Sequence, residues 1–175
     1  MSEKAETPAC LAKSHVNADE FKLAMRKFAA SVTIITTAAG NEIHGMTATA
    51  VCSVSAEPPT ILIVVNRKTR THPLIGSAGF FTVNILAEDQ QHLASRFGLK
   101  LPNQFEGIPY RQSKNTKSPV IHGAAAHLEC ELTGQVDVGS HTIFLGRVLH
   151  CDPSDAKPLL YYDGQYSEIA QIGGV

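Results

Sequence analysis

Hydroxyl-bearing and small side chains alternate between Met46 and Ser55, close to a basic segment that follows the apolar run ILIVV. This alternation is typical of a strand whose exposed edge presents hydroxyl and backbone N–H groups. A flat heteroaromatic ring such as a flavin requires this surface, because its apolar body needs small neighbours while its carbonyls and ring nitrogens need hydrogen-bond partners. The hydroxyl-bearing residues are Thr47, Thr49, Ser53 and Ser55, and the small or apolar ones are Ala48, Ala50, Val51 and Val54.

The basic segment, NRKTRTHP, begins at Asn66 directly after the run ILIVV. Its cations, its threonine hydroxyls and a following helix N-terminus suit a phosphate group, through charge-assisted hydrogen bonds and the helix dipole. We predict Thr71 as the N-cap of that helix, with Pro73 in its first turn. The alternative is an exposed, solvated charged turn, which is the commoner meaning of an isolated charge cluster. The neighbouring hydroxyl-rich strand favours the phosphate site.

Bulk properties restrict the class of protein. A chain of 175 residues with 43% hydrophobic content can bury one substantial core and is predicted to be a single domain. A formal net charge of −1 and a pI near 6.7 give no general attraction for nucleic acid or anionic lipid. The apolar runs are far shorter than the roughly 20 residues that a membrane-spanning helix needs. We therefore expect a soluble cytoplasmic protein that binds neither nucleic acid nor membrane.

Neither the cysteines nor most histidines show the spacing of a metal or disulfide site. Four widely separated cysteines without a C-x-x-C pair favour reduced, structural thiols. Seven histidines offer no H-E-x-x-H motif and no paired Cys/His spacing, so we expect no metal site. These histidines are His15, His44, His72, His92, His122, His127 and His150.

The ends of the chain differ in pattern. Residues 1–16 are polar and aperiodic and are predicted to be a flexible tail, so that the domain spans residues 17–175. Asn17 begins a predicted helix, with Glu20 completing a capping box. The apolar face of this helix, which includes Phe21 and Phe28, is predicted to pack on the body of the protein as a lid.

The remaining periodicity predicts a mainly β chain with short helices. Residues 99–119, rich in Pro, Gly, Asn and Ser, are predicted to be a functional covering loop. In the segment HLECEL, alternation of polar and apolar residues predicts a solvent-exposed face of the strand formed by His127, Glu129 and Glu131. Many strands with short helices favour a closed or split barrel. The first predicted strand, Val32 to Ala38, turns at Gly40 and Asn41 into a second strand from Ile43 to Ser55. Further strands are predicted over Ile61 to Val65 and Phe80 to Leu86, and helices near His72 to Ala78 and Asp89 to Phe97.

Four segments, in this order, resemble the short-chain flavin reductases that supply reduced flavin to two-component monooxygenases. They are TATAVCSV followed by PP, NRKTRTHPLI, FFTVNILAEDQQHLASRF and GSHTIFLGRV, and the likeness runs from about Phe21 to Tyr166. The resemblance implies an FMN-binding split β-barrel, related to pyridoxamine-phosphate oxidases, that forms a homodimer with flavin near the subunit interface. It also implies FMN or FAD as cofactor, NADH or NADPH as hydride donor, and a flavin-dependent monooxygenase as partner.

The resemblance implies roles for individual residues. Asn84 is either an inward polar group satisfied by backbone or a flavin contact. The corner that contains Arg96 is either a helix end that favours a cation or a contact for flavin phosphate or the adenine side of FAD. The residues implied in cofactor binding are Thr47, Ala48, Thr49, Ala50, Val51, Cys52, Ser53, Asn66, Lys68, Thr69, Thr71, Asn84, Ser95, Arg96 and Phe97.

The GSHT segment places His141 beside the nicotinamide in the family that this chain resembles, and the alternative is a half-exposed histidine at a strand end. Hydride transfer between two cofactors depends on position more than on acid–base groups, so the absence of a Ser/His/Asp triad does not exclude an enzyme. The absence of G-x-G-x-x-G predicts that the nicotinamide does not occupy a Rossmann site. Asp163 stands where many relatives have a basic residue, which leaves open any contact of that position with a dinucleotide.

Three functions are compatible with these features. The first is an NAD(P)H-dependent flavin reductase, the second a flavin-binding carrier or sensor without NAD(P)H turnover, and the third an oxidase of a small amine related to pyridoxamine-phosphate oxidases. The GSHT segment favours the reductase. The sequence does not distinguish FMN from FAD, NADH from NADPH, a tightly bound flavin from a diffusing one, or one monooxygenase partner from another.

Overall fold

Residues 15–170 are described by the computed structural model and contain twelve strands and three α-helices. The strands are β1 (Ala30–Ser31), β2 (Thr33–Ala39), β3 (Glu42–Ala48), β4 (Val51–Ala56), β5 (Pro59–Asn66), β6 (Phe80–Ile85), β7 (Tyr110–Gln112), β8 (Pro119–Ile121), β9 (Ala126–Val138), β10 (His141–Pro153), β11 (Leu160–Tyr162) and β12 (Gln165–Ser167). The helices are α1 (Ala18–Met25), α2 (Thr71–Ala78) and α3 (Gln91–Gly98), with a 3-10 turn at Glu88–Gln90 before α3. Most of the predicted tail and the last five residues of the predicted domain lie outside the described residues. Between residues 15 and 170, no helix has the length and hydropathy needed to cross a membrane.

Seven strands form one antiparallel sheet in the order β3-β2-β6-β9-β10-β5-β4. β3 and β4 lie at opposite edges of this sheet, although only Thr49 and Ala50 separate them in the chain. Such a connection spans roughly 10 Å at most, so the sheet must curl until its two edges face each other. The resulting open-edged barrel confirms the predicted mainly β, split-barrel fold.

The same connection corrects the predicted single strand from Ile43 to Ser55. β3 ends at Ala48 and β4 begins at Val51, because the chain leaves one edge of the sheet and joins the other. The predicted turn at Gly40 and Asn41 does connect β2 to β3, and Gly40 has a φ of +58° that suits glycine. The hydroxyl-rich segment therefore lies at the seam of the barrel, where no further strand among residues 15–170 pairs with either edge.

Apolar side chains pack on both faces of the curled sheet. One buried cluster packs Phe81 and Phe144 among the aliphatic side chains of β2, β5 and α2. Gly146 of β10 faces the Phe81 ring, and a Cβ added there would lie 2.8 Å from the ring's Cε1 atom, so glycine permits this packing. A second cluster, which includes Ile34, Leu93 and Phe97, packs α3 against the sheet beside the seam.

Helix α1 begins as predicted but does not form a lid. The Asn17 side chain accepts hydrogen bonds from the backbone of Asp19 and Glu20, and the Glu20 carboxylate accepts one from the Asn17 backbone, which confirms the capping box. Phe21 and Phe28, however, are 55% and 70% exposed. The prediction that these side chains pack on the barrel of their own chain is therefore wrong. No other part of residues 15–170 buries them.

The predicted solvent exposure on one face of β9 is also wrong for two of the three residues named. His127 and Glu129 are buried, because the β7–β8 hairpin and its connecting loop cover that face of the sheet. Ser113 and Asn115 of this segment donate hydrogen bonds of 2.7 and 2.8 Å to Glu129 Oε2. Although burial raises the pKa of Glu129, these hydrogen bonds and nearby cations outweigh it, and the pKa lies below its ordinary value. The predicted covering loop thus includes two short strands.

Candidate flavin site

A cavity of about 460 Å³ lies beside the barrel seam. Its walls come from β3, the turn between β5 and α2, and residues 97–104 at the end of α3 and beyond it. The segment after α3 therefore does cover a pocket, as the loop composition predicts. Six of its lining side chains matter chemically: His44, Thr47, Lys68, Thr69, Thr71 and Lys100.

Asn66 shapes the basic turn rather than forming a wall of this cavity. Its Oδ1 accepts a hydrogen bond of 2.9 Å from the Lys68 backbone, and its carbonyl accepts one of 2.8 Å from Thr69 Oγ1. This is a turn closed by an Asn side chain, which fixes the local backbone direction. The turn presents Lys68 and Thr69 to the cavity.

The charges of this turn differ in their partners. Arg67 lies 3.4 Å from the Asp137 carboxylate, and Arg70 lies 2.9 Å from that of Glu42. Lys68 and Lys100 have no carboxylate within ion-pair distance among residues 15–170. Two ammonium groups are therefore available to an anionic ligand in the cavity.

The predicted N-cap at Thr71 is wrong. Thr71 is the first residue of α2 and is fully buried, and the cap position is Arg70, whose side chain makes no capping hydrogen bond. The Thr71 hydroxyl is instead 2.8 Å from His44 Nδ1 on β3, which joins the helix start to the cavity wall. Burial, and then the Arg70 charge, lower the pKa of His44, while Glu42 partly opposes them.

A second cavity, of about 440 Å³, adjoins the first along Thr47, Gly98 and Leu99. Ala48 and Thr49 line it from the seam, and Ser95 lines it from α3. Thr47 Oγ1 donates a 2.6 Å hydrogen bond to the Ala94 carbonyl, which ties β3 to α3. The two cavities together offer a small-residue surface with hydroxyls next to a basic pocket, and this arrangement fits a flavin ring with its phosphate.

His141 lies at the same end of the barrel as the basic turn. It is the first residue of β10 and pairs across the strands with Asn66, while its Nδ1 is 2.9 Å from Ser140 Oγ. The Arg67 backbone N–H donates a 3.0 Å hydrogen bond to the Ser140 carbonyl, so the β9–β10 hairpin tip is fastened to the turn. The structure thus brings the predicted nicotinamide residue beside the predicted phosphate turn.

Comparison with known proteins agrees with a flavin site in this chain. The model of the flavin reductase-like domain family matches residues 25–170. The chain belongs to the flavin reductase-like family. This flavin reductase-like chain is 35% identical to the reductase subunit HsaB of a flavin-dependent monooxygenase from Rhodococcus jostii, over 97% of this chain and 86% of that protein.

Other relatives of the flavin reductase-like chain carry cofactors in their names. The NADH-dependent FMN reductase RutF of Stutzerimonas stutzeri is 37% identical over 84% of this chain and 85% of its own length. The NADH:FAD oxidoreductase SgcE6 of Streptomyces globisporus, solved with NAD and FAD fragments, has a TM-score of 0.86 to this chain at 29% identity. That match covers 93% of this chain and 100% of the solved one.

Three of the cofactor residues predicted for this flavin reductase-like chain have structural roles. Asn84 is fully buried, and its amide donates to the Ile34 carbonyl at 3.0 Å and accepts from the Ile121 backbone at 2.9 Å. Arg96 donates three hydrogen bonds of 2.7 to 3.0 Å to the carbonyls of Gln104, Asn103 and Glu106, so it holds the covering segment. Because the Asn84 side chain has no exposed surface and its amide is paired with backbone groups, the structure favours the first of its two predicted roles, an inward polar group. A flavin contact there stays a prediction.

The third is Phe97, which is 2% exposed and packs edge-on against Phe105 at a centroid distance of 5.0 Å. A Cβ on Gly45 would lie 2.8 Å from the Phe97 ring, so glycine lets the ring seal the cavity floor. Ala50, Val51, Cys52 and Ser53 line neither described cavity. Their contact with flavin stays a prediction.

Sequence reasoning missed His44, Lys100 and Gln104 as parts of the site. Gln104 is buried and accepts a 3.4 Å hydrogen bond from the Gly45 backbone, which anchors the covering segment over β3. No local motif identifies these residues, because each reaches the cavity through a contact between distant parts of the chain. The only signal was the composition of the covering segment.

Proposed function

We propose that this protein is an NAD(P)H-dependent flavin reductase that supplies reduced FMN or FAD to a separate flavin-dependent monooxygenase. In this reaction a hydride passes from the nicotinamide C4 to the flavin N5, so that NAD(P)H is oxidised and the flavin is reduced by two electrons. The observation that carries the proposal is the meeting of three features at one end of the barrel. They are the hydroxyl-lined seam, the basic turn and His141.

The chain's own residues would bind the flavin from two sides. Thr49 offers a hydroxyl to the polar edge of the ring, and Ala48 allows its flat face to approach. The hydroxyls of Thr47 and Ser95 donate their protons to the Ala94 and Gln91 carbonyls, so their oxygens are available as acceptors. Lys68 and Thr69 offer an ammonium and a hydroxyl to the phosphate, with Asn66 fixing the turn. Lys100, on the covering segment, is within the same cavity and extends the cationic surface toward a second phosphate or a ribose.

His141 would orient the dihydronicotinamide. Its ring is fixed by Ser140, and its strand is fastened to the basic turn, so its position relative to the flavin phosphate is set by backbone hydrogen bonds. Alignment of the two rings lowers the barrier to hydride transfer because it removes the entropy cost of bringing them together. No proton transfer by His141 is required.

The partner and the assembly belong to the same proposal. Relatives named as reductase components of a flavin-dependent monooxygenase and of a resorcinol hydroxylase support delivery of reduced flavin to an oxygenase. The exposed apolar side chains of α1, with Phe28 shortly after its end, support a homodimer, since an exposed apolar patch commonly marks an interface. We further propose that the protein works in the cytoplasm.

Anaerobic oxidation of NADH and of NADPH, each with FMN and with FAD, tests the proposal in a two-by-two comparison. Bleaching of the flavin absorbance at a catalytic rate with one nicotinamide is the expected result. Bound flavin that keeps its colour with both nicotinamides would instead indicate a carrier. Flavin reduced by a small amine and not by NAD(P)H would indicate an oxidase.

A further inference from the structure

Two histidines and two carboxylates form a square on one face of the β9–β10 ribbon. Glu129 pairs across the strands with His150, and His127 pairs with Asp152. Residues two apart on a strand share a face, so the pairing brings all four side chains together. One ligand atom from each of His127, Glu129 and His150 lies within 4.8 Å of the other two. Asp152 Oδ2 is 4.0 Å from His127 Nε2.

The guanidinium group of Arg111 contacts two members of this square, His127 and Glu129. Arg111 of β7 donates a 2.9 Å hydrogen bond to His127 Nε2, and its other terminal nitrogen is 3.5 Å from Glu129 Oε1. A guanidinium has only donors, so His127 Nε2 must present a lone pair. The square therefore directs a nitrogen lone pair and a carboxylate oxygen at one positive charge. The Arg111 side chain is 42% exposed, which leaves it room to turn outward.

Two neighbouring side chains fix the orientation of the Glu129 carboxylate. Ser113 and Asn115 both donate to Oε2, at 2.7 and 2.8 Å, which leaves Oε1 directed toward the cation. Metal-binding carboxylates are oriented by hydrogen bonds of this kind, and loss of such bonds typically weakens metal binding. His127 and Glu129 are buried while His150 is exposed, so the square has fixed walls and one open side.

We propose that this square is a binding site for a divalent transition-metal ion, with His127, Glu129 and His150 as ligands, Asp152 as the fourth, and Arg111 as the group that the ion displaces. Imidazole nitrogen and carboxylate oxygen are ligands that Zn²⁺, Co²⁺ and Ni²⁺ accept. Tetrahedral coordination with metal–nitrogen bonds of about 2.0–2.1 Å places neighbouring ligand atoms about 3.4 Å apart. Ligand atoms within 4.8 Å of one another reach this spacing by small side-chain rotations.

The site is separate from the flavin cavities. His150 lies nine positions after His141 on β10, a distance of about 30 Å at the rise of an extended strand. Metal binding therefore depends neither on the proposed reductase reaction nor on any flavin contact. The long sequence interval between His127 and His150 explains why histidine spacing predicted no metal site.

Titration of the full chain with Co²⁺ tests the proposal, after chelator treatment and alkylation of its thiols. Alkylation matters because Cys52 and Cys151 are exposed and thiolates bind such metals. We expect one Co²⁺ per chain by calorimetry, with the visible absorption bands of a tetrahedral ion. His150→Ala, at an exposed position, should raise the Kd by about tenfold or more.

Two further variants make the test specific. Arg111→Gln should lower the Kd, on the order of tenfold, because the competing cation is gone. His92→Ala, an exposed histidine on α3, should bind Co²⁺ like the parent. Lack of saturable binding in the parent would overturn the proposal, as would a parent-like Kd in His150→Ala, which would mean an adventitious ion only. An unchanged or raised Kd in Arg111→Gln would overturn the displacement of Arg111.

Discussion

His141, the first residue of β10, is the cross-strand partner of Asn66, the last residue of β5. Asn66 in turn closes the basic turn through its side chain and its carbonyl. The Arg67 backbone adds a hydrogen bond to Ser140, the residue before His141. One antiparallel pairing therefore sets the distance between the group assigned to the nicotinamide and the groups assigned to the flavin phosphate.

The first prediction concerns His141. Replacing it with alanine should slow flavin reduction at saturating flavin on the order of tenfold to a hundredfold, because alignment of the nicotinamide is lost. Flavin affinity should stay close to that of the parent, since the hydroxyl seam and Lys68 are untouched. Stopped-flow reduction with varied NADH measures both, with His92→Ala as the matched control. A parent-like rate would make His141 a strand-end histidine without a role in the reaction.

The second prediction concerns Lys68, which faces the cavity without a carboxylate partner among the described residues. Lys68→Ala should raise the flavin Kd about tenfold or more, because a charge-assisted hydrogen bond to phosphate is lost. Lys114→Ala, on the connection between β7 and β8, is the matched control and should bind flavin like the parent. Fluorescence titration measures the Kd, and equal curves for Lys68→Ala and parent would remove Lys68 from the site.

The third prediction separates the two roles considered for Asn84. Asn84→Ala should lower the free energy of unfolding by about 2–3 kcal/mol, because the buried Ile121 N–H and Ile34 carbonyl lose a partner. The folded variant should keep the parent's flavin Kd. Urea denaturation measures the stability, and the exposed-site variant Asn103→Ala is the control. A stable variant with weakened flavin binding would restore the cofactor role.

The fourth prediction is a pH dependence of stability from His44. Its pKa lies below the ordinary value of 6.5, since burial and Arg70 disfavour the charged ring. The unfolded chain therefore binds the proton first as the pH falls, and stability is lost from about pH 6.5 downward to the folded pKa. In His44→Gln this contribution should be absent. The free energy of unfolding of the parent minus that of the variant, measured by urea denaturation, should therefore be smaller at pH 5.5 than at pH 7.5. A pH-independent difference would contradict it.

The fifth prediction is a two-fold symmetric dimer. Light scattering at micromolar concentration should give twice the chain mass of 18.8 kDa. Replacement of Phe21 and Phe28 by serine should shift the mass toward that of one chain, because these exposed side chains would no longer make an apolar contact with the second chain. A parent mass near 18.8 kDa would contradict the dimer.

Local chemistry in the sequence was sufficient to predict several elements and parts of the site. The capping box at Asn17, the turn at Gly40 and the strand over Ile61 to Val65 depend on neighbouring residues, and the structure confirms them. The basic character of the turn and the hydroxyls of the seam that precedes it in the chain could also be read directly. These features depend on contacts within a few residues, where residue type and spacing carry the information.

Tertiary structure decided the features that depend on distant pairing. The split of the hydroxyl segment at Thr49 follows from the closure of the sheet, and the burial of Glu129 follows from the β7–β8 hairpin that covers it. Thr71 became a partner of His44 rather than a cap for the same reason. The pairing of Glu129 with His150 also exists only in the folded sheet. Residue patterns report which side chains are polar, but the register between strands far apart in the chain determines which of them meet.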